Sequence, residues 1–254
     1  MVATIKLASS RTGSLNSMTQ KYIYHGTGES AARRALKRGI LPREMSGKRG
    51  NWKHTVASNP SMVYLTTAYA PYFASATTNL DRERPAIIEV DLKALDQSKL
   101  YPDEDFIEQG LRGKKLGTSA DIHKRNLYVI EHIEEYRENW KLSLEKLGTV
   151  CHKGIVPASA ITRVVAFDPK KNVDIFRDTL NPTITLANYR FCGEKYRAMT
   201  RWFMGEDVDA LSVAFGVEIP PEAARKIPWA KEAIEATSEA LANRTGLETI
   251  WQRP

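Results

Sequence analysis

Cysteine is nearly absent from this chain: Cys151 and Cys192 are the two in 254 residues. They are too few and too isolated for a disulfide framework or a cysteine-rich zinc site, so both are expected as buried thiols. Long apolar runs are missing as well. No stretch approaches the roughly 18 apolar residues that a bilayer span requires, so no membrane role is expected. The opening MVATIKLASSRTGSLNSMTQ is rich in Ser and Thr but has no apolar h-region. It reads as a flexible tail over 1–19, and the chain is expected in the cytoplasm. The five histidines, at 25, 54, 123, 132 and 152, never fall at ligand spacing with a second His or Cys, apart from adjacent Cys151 and His152. Neighbours in a strand point to opposite faces, so no metal site is expected. There is no phosphate-binding G-x-x-x-x-G-K-[ST] loop, no G-x-G-x-x-G and no nucleophile elbow, so NTP hydrolysis, hydride transfer and serine-type hydrolysis lack their usual parts. No internal repeat or low-complexity tract occurs.

What is present is an ordinary globular composition, 42% hydrophobic and 26% charged, with a net charge of +7. A basic balance favours a polyanionic partner. Periodicity predicts a strand over 22–25, a helix over 30–39 stopped by Gly39, and a long loop over 41–61. Further strands are expected at 62–67 and 85–92, with a packed helix at 68–78 between them. The acidic turn 101–110 precedes a basic loop at 111–125. Val129, Ile133, Tyr136, Trp140, Leu144 and Leu147 recur at helical spacing, and Gly148 ends that run. Strands over 149–157 and 161–169 follow. The order suits an α+β domain over 20–184, and the segment 185–254, punctuated by Pro220, Pro221 and Pro228, reads as a helical appendage.

The segment YIYHGTGES at 22–30 combines an imidazole, a bare backbone and a hydroxyl at His25, Gly26 and Thr27. Downstream lie Gly39-Ile40, Pro42, a loop to Gly50 and then VYLTTAYAPYFA at 63–74. This ordering resembles the ADP-ribosyltransferase superfamily, in particular its diphtheria-toxin and poly(ADP-ribose) polymerase branch, over about residues 20–170. The resemblance implies a split antiparallel β-sandwich, NAD as co-substrate and a toxin-like effector role. It implies that His25 holds the adenosine-side ribose, Gly26 the carboxamide, Thr27 a ribose or the amide, and Tyr64 the nicotinamide ring, with Tyr72 or Phe73 closing the other face. The chemistry supports these residue types: a glycine backbone approaches a flat amide closely, a tyrosine ring stacks on it, and a histidine bonds a ribose hydroxyl.

The family also places a glutamate at the head of a late strand, but Thr149 stands there in this chain. Glu145, one helical turn earlier, is the nearest carboxylate and the expected third catalytic residue beside His25 and Tyr64. Asp103, Glu104 and Asp105 are alternatives, with Asp105 as a base on an acceptor. Between 33 and 54 lie Arg33, Arg34, Lys37, Arg38, Arg43, Lys48, Arg49 and Lys53 against the single acid Glu44. Arg43 is expected to neutralise the NAD diphosphate. The surplus charge suits a DNA or RNA backbone, with Trp52 and His54 available to stack on a base. Three functions stay open: ADP-ribosyl transfer to a macromolecule, RNA 2′-phosphate removal using NAD, and nucleic-acid binding with a non-catalytic cleft.

Overall fold

The computed structural model describes residues 21–47, 58–111, 122–171, 180, 194–215 and 219–254. The expected tail, Cys192 and the Lys48–His54 part of the basic region lie outside these residues. Seven strands form one sheet: β1 (Tyr22–Gly28), β2 (Met62–Thr66), β3 (Pro85–Asp91), β4 (Leu100–Pro102), β5 (Thr149–Lys153), β6 (Ile161–Phe167) and β7 (Leu247–Gln252). Their spatial order is β4-β5-β2-β1-β3-β6-β7, and every pairing is antiparallel. The helices are α1 (Glu29–Arg38), α2 (Arg43–Ser46), α3 (Ala70–Thr77), α4 (Glu104–Leu111), α5 (Ile122–His132), α6 (Trp140–Lys146), α7 (Glu194–Phe203), α8 (Ala210–Phe215), α9 (Pro221–Ala224) and α10 (Pro228–Ala242). The result is a mixed fold built on one antiparallel sheet, in keeping with the α+β expectation. Instead of two facing sheets, the strands share one ladder with a narrow seam: β1 meets β2 at Tyr24 and Thr66 alone, while it pairs with β3 along all of Tyr22–Gly28.

Both faces of the sheet are covered, which explains why β3, PAIIEVD, is buried along nearly its whole length instead of alternating. On one face Ile23, Val63, Leu65, Ile88, Val150 and Val164 pack beneath Ala32 and Ala35 of α1 and Trp140 and Leu144 of α6. The other face carries two clusters. One gathers Tyr69, Tyr72, Tyr101, Phe106, Tyr136 and Cys151. The second gathers Tyr24, Ala70, Ala74, Ile87 and Phe167 with Met199, Trp202 and Phe203.

The periodic run 129–147 is not one helix. A 3₁₀ stretch, Ile133–Asn139, separates α5 from α6. Its tighter winding re-aims the apolar stripe: Val129, Ile133 and Tyr136 join one face of the sheet, whereas Trp140 and Leu144 join the opposite one.

The described part of 185–254 packs on the sheet and is not wholly helical. In α7, Trp202 and Met199 are fully buried, Thr200 Oγ1 donates to Ala68 O at 2.5 Å, and Trp202 Nε1 donates to Leu241 O at 2.7 Å. The chain then returns as β7, which pairs with β6. The amphipathic stripe of α7 needs an apolar surface to cover, and the sheet supplies it. Among the described residues no helix is long and apolar enough to cross a membrane.

Candidate functional site

The segment His25-Gly26-Thr27 does not end β1; the strand continues to Gly28, paired residue by residue with β3. Its distinctive position lies on the other edge, where the register with β2 is confined to Tyr24 and Thr66. Across this seam His25 Nδ1 lies 2.9 Å from Tyr64 O. A carbonyl only accepts, so Nδ1 carries the proton and donates to it.

Gly26 is explained by packing as well as by ligand access. A Cβ there would run into Ala70 O, fall 2.5 Å from Ala74 N and lie 3.1 Å from Phe73 C. The small residues Ala70 and Ala74 let α3 lie directly on β1, and only a glycine leaves room beneath them. Contact between Gly26 and a ligand is thereby restricted to its peptide groups. Thr27 is buried at 5% exposure on the face away from α3. Tyr72 belongs to the core at 1% exposure, and burial pushes its phenol up to about 12. Phe73 is half-buried beside it, with ring centroids 5.1 Å apart. Of the two rings expected to close the site, only Phe73 keeps appreciable exposure.

Tyr64 is held at both ends. Its carbonyl accepts from His25, and its hydroxyl donates to Glu104 Oε1 at 2.6 Å. The same hydroxyl accepts from Asn59 N at 2.6 Å, and Asn59 N lies 3.1 Å from Glu104 Oε1. The other carboxylate oxygen, Oε2, faces Cys151 Sγ at 3.8 Å. Cys151 reaches this point because β2 and β5 pair Tyr64 with Cys151, and directly opposed residues share a face. Burial pushes the Glu104 carboxyl up to about 7, with neighbouring Asp103 adding to the shift. Burial likewise raises the Tyr64 phenol and the Cys151 thiol, and Glu104 adds to both. The residue as a whole is half-buried.

The remaining predicted residues lie apart from this group. Glu145 sits on α6 with a 65% exposed side chain, its carboxylate 2.6 Å from Lys146 Nζ. Arg43, in α2, donates to Ser58 O at 2.7 Å, next to Asn59. Thr149 is 2% exposed, and its hydroxyl has no hydrogen-bond partner among the described residues. Asp103, Glu104 and Cys151 bring ligand-type atoms within 4.8 Å of one another, a grouping that the sequence spacing did not reveal. Asp105 is half-buried, and its amide donates to Asp103 Oδ1 at 2.9 Å, as in a helix-capping turn. On α1, Arg33, Arg34, Lys37 and Arg38 are exposed, and Arg33 pairs with Glu29 at 2.7 Å.

Two surface hollows of about 320 Å³ lie elsewhere, one against Arg137 and Trp140 and the other against Leu211 and Ile234. Neither is lined by the seam residues. Asn59 and Cys151 are the members of the group that sequence reasoning missed. Asn59 acts through its amide, which no residue type announces, and Cys151 through strand register. Compared with known proteins, the chain matches no family model and no curated protein.

Proposed function

We propose that this chain is an NAD-dependent ADP-ribosyltransferase that modifies a macromolecular acceptor, and that its fold is a variant of that superfamily's. The observation that carries the reading is the His25–Tyr64 contact across the one-pair seam between β1 and β2. In this reading His25 bonds a ribose hydroxyl, the peptide groups of Gly26 meet the carboxamide, and the Tyr64 ring receives the nicotinamide. Cleavage of the C1′–N bond sends the electron pair to the nicotinamide nitrogen and neutralises its charge. A nucleophile of the acceptor bonds to C1′ and loses its proton to a base or to solvent. Thr27, Phe73 and Arg43 retain their proposed roles around NAD. Tyr72 contributes only as packing beneath Phe73, and Glu145 has no part.

The acceptor in this proposal is polyanionic, DNA or RNA, because Arg34, Lys37 and Arg38 stand exposed on consecutive turns of α1, the helix that follows β1 directly. Nicotinamide release from NAD, followed with no acceptor, with single-stranded DNA, with RNA and with 2′-phosphorylated RNA, tests the proposal. Release stimulated by unmodified nucleic acid supports it. Release confined to 2′-phosphorylated RNA moves the assignment to RNA 2′-phosphate removal. Salt-sensitive nucleic-acid binding without release in any arm leaves a binding protein with a non-catalytic cleft.

A further inference from the structure

Glu104 is 3% exposed and carries no ion pair among the described residues. Its neighbours are a phenol, a backbone amide, a thiol and the carboxyl of Asp103. A buried carboxylate without a counter-ion works against the folded state, and an apolar residue of the same volume would pack there at lower cost. Fold stability therefore does not account for a glutamate at this position. Three of its contacts bear on Tyr64: Oε1 accepts directly from the hydroxyl, Asn59 N touches both partners, and Cys151 stands opposite Tyr64 in the β2–β5 register. Tyr64 is thus fixed at its backbone by His25 and at the far end of its ring by Glu104.

We infer that Glu104 is the positioning residue of the nicotinamide site: it holds the Tyr64 ring in the orientation on which nicotinamide stacks, without touching the substrate itself. The inference rests on the NAD reading above. A stacked ring meets nicotinamide before the bond breaks and while it breaks, so an anchored Tyr64 acts on binding more than on the chemical step. Releasing the ring should therefore appear in KM. Asn59 widens the consequence: its amide meets both Tyr64 and Glu104, and the carbonyl of the preceding Ser58 accepts from Arg43.

The test uses the full chain with NAD as the probe and nicotinamide release as the readout. Tyr64→Phe keeps the ring and deletes only its anchor, and Glu104→Leu deletes the anchor from the other side. Each is expected to raise KM about tenfold, the scale of one buried hydrogen bond to a charged group, with kcat within about threefold of wild type. The double substitution Tyr64→Phe with Glu104→Leu is expected to be no worse than either single one, since both remove one contact. Glu104→Gln retains an oxygen that accepts from Tyr64 and Asn59, and it is expected to restore KM to within about threefold of wild type. Tyr64→Phe changes no volume in the core, so it remains informative even if Glu104→Leu folds poorly. A wild-type KM in Tyr64→Phe, or additive losses in the double variant, overturns the positioning role alone. A wild-type chain that neither binds NAD nor releases nicotinamide overturns the NAD reading, and this inference with it.

Discussion

Replacing Glu104 with glutamine changes the pH dependence of stability in a direction the structure fixes. The carboxyl is buried and beside Asp103, and its pKa stands at about 7 in the fold against 4.5 for an ordinary glutamate. A raised folded-state value means that the native protein binds this proton more tightly than the unfolded chain. The contribution of Glu104 to stability is therefore fully present below about pH 4.5 and is lost as pH rises through about 7. A value of about 7 in the fold against 4.5 corresponds to a loss on the order of 3 kcal/mol, most of it between about pH 5 and 8. Glutamine accepts the same two hydrogen bonds and has no proton to lose, so Glu104→Gln removes this slope. Urea unfolding of both proteins at intervals across pH 5–8 measures it. The variant is expected to gain on wild type by roughly 2 to 3 kcal/mol from the lower to the upper pH. Parallel stability curves would show that Glu104 ionises without penalty, and the description of its buried surroundings would be wrong.

Other expectations test the packing that frames the site. Gly26→Ala forces a methyl into the backbone of α3, which has no side chain to move aside, so a loss of about 1 to 3 kcal/mol is expected in thermal or urea unfolding; an unchanged midpoint would contradict the close approach of α3 to β1. Trp202→Ala removes a fully buried ring and its bond to Leu241 O, so a loss of about 3 to 5 kcal/mol in the single main transition is expected. Separate melting of a C-terminal unit, with the sheet unaffected, would contradict this packing. Thr149→Val exchanges an unpartnered buried hydroxyl for a methyl of the same shape and is expected to leave stability unchanged or to raise it by about 1 kcal/mol; a loss larger than that would reveal a partner for the hydroxyl.

Much of the secondary structure could be read from local pattern. The helix at α1 with its Gly39 stop, the alanine-rich α3 and the β-branched β3 all carry their signal within a few residues. The central strand was cut short, because His25-Gly26-Thr27 has the composition of a turn while its conformation is set by the β3 ladder. The apolar stripe from Val129 to Leu147 was visible, but its division between two faces of the sheet depends on packing that periodicity cannot express. Of the site, Tyr64 was legible as a candidate, and Glu104 only as one of three adjacent acids. Their contact joins β2 to the start of α4, forty residues apart, and no local pattern encodes it. Glu145 was chosen because it lies near Thr149 in sequence. A helix turn that points its carboxylate at solvent removes that advantage.

Equilibrium titration of the purified full chain with NAD, compared with His25→Ala, is the most direct measurement of whether the seam holds a dinucleotide. Wild type is expected to bind with one site per chain, and His25→Ala to bind at least tenfold more weakly, since it loses both the ribose contact and the clamp on Tyr64 O. Absence of binding to wild type, or equal binding by a folded His25→Ala, would contradict the assignment of the seam as an NAD site.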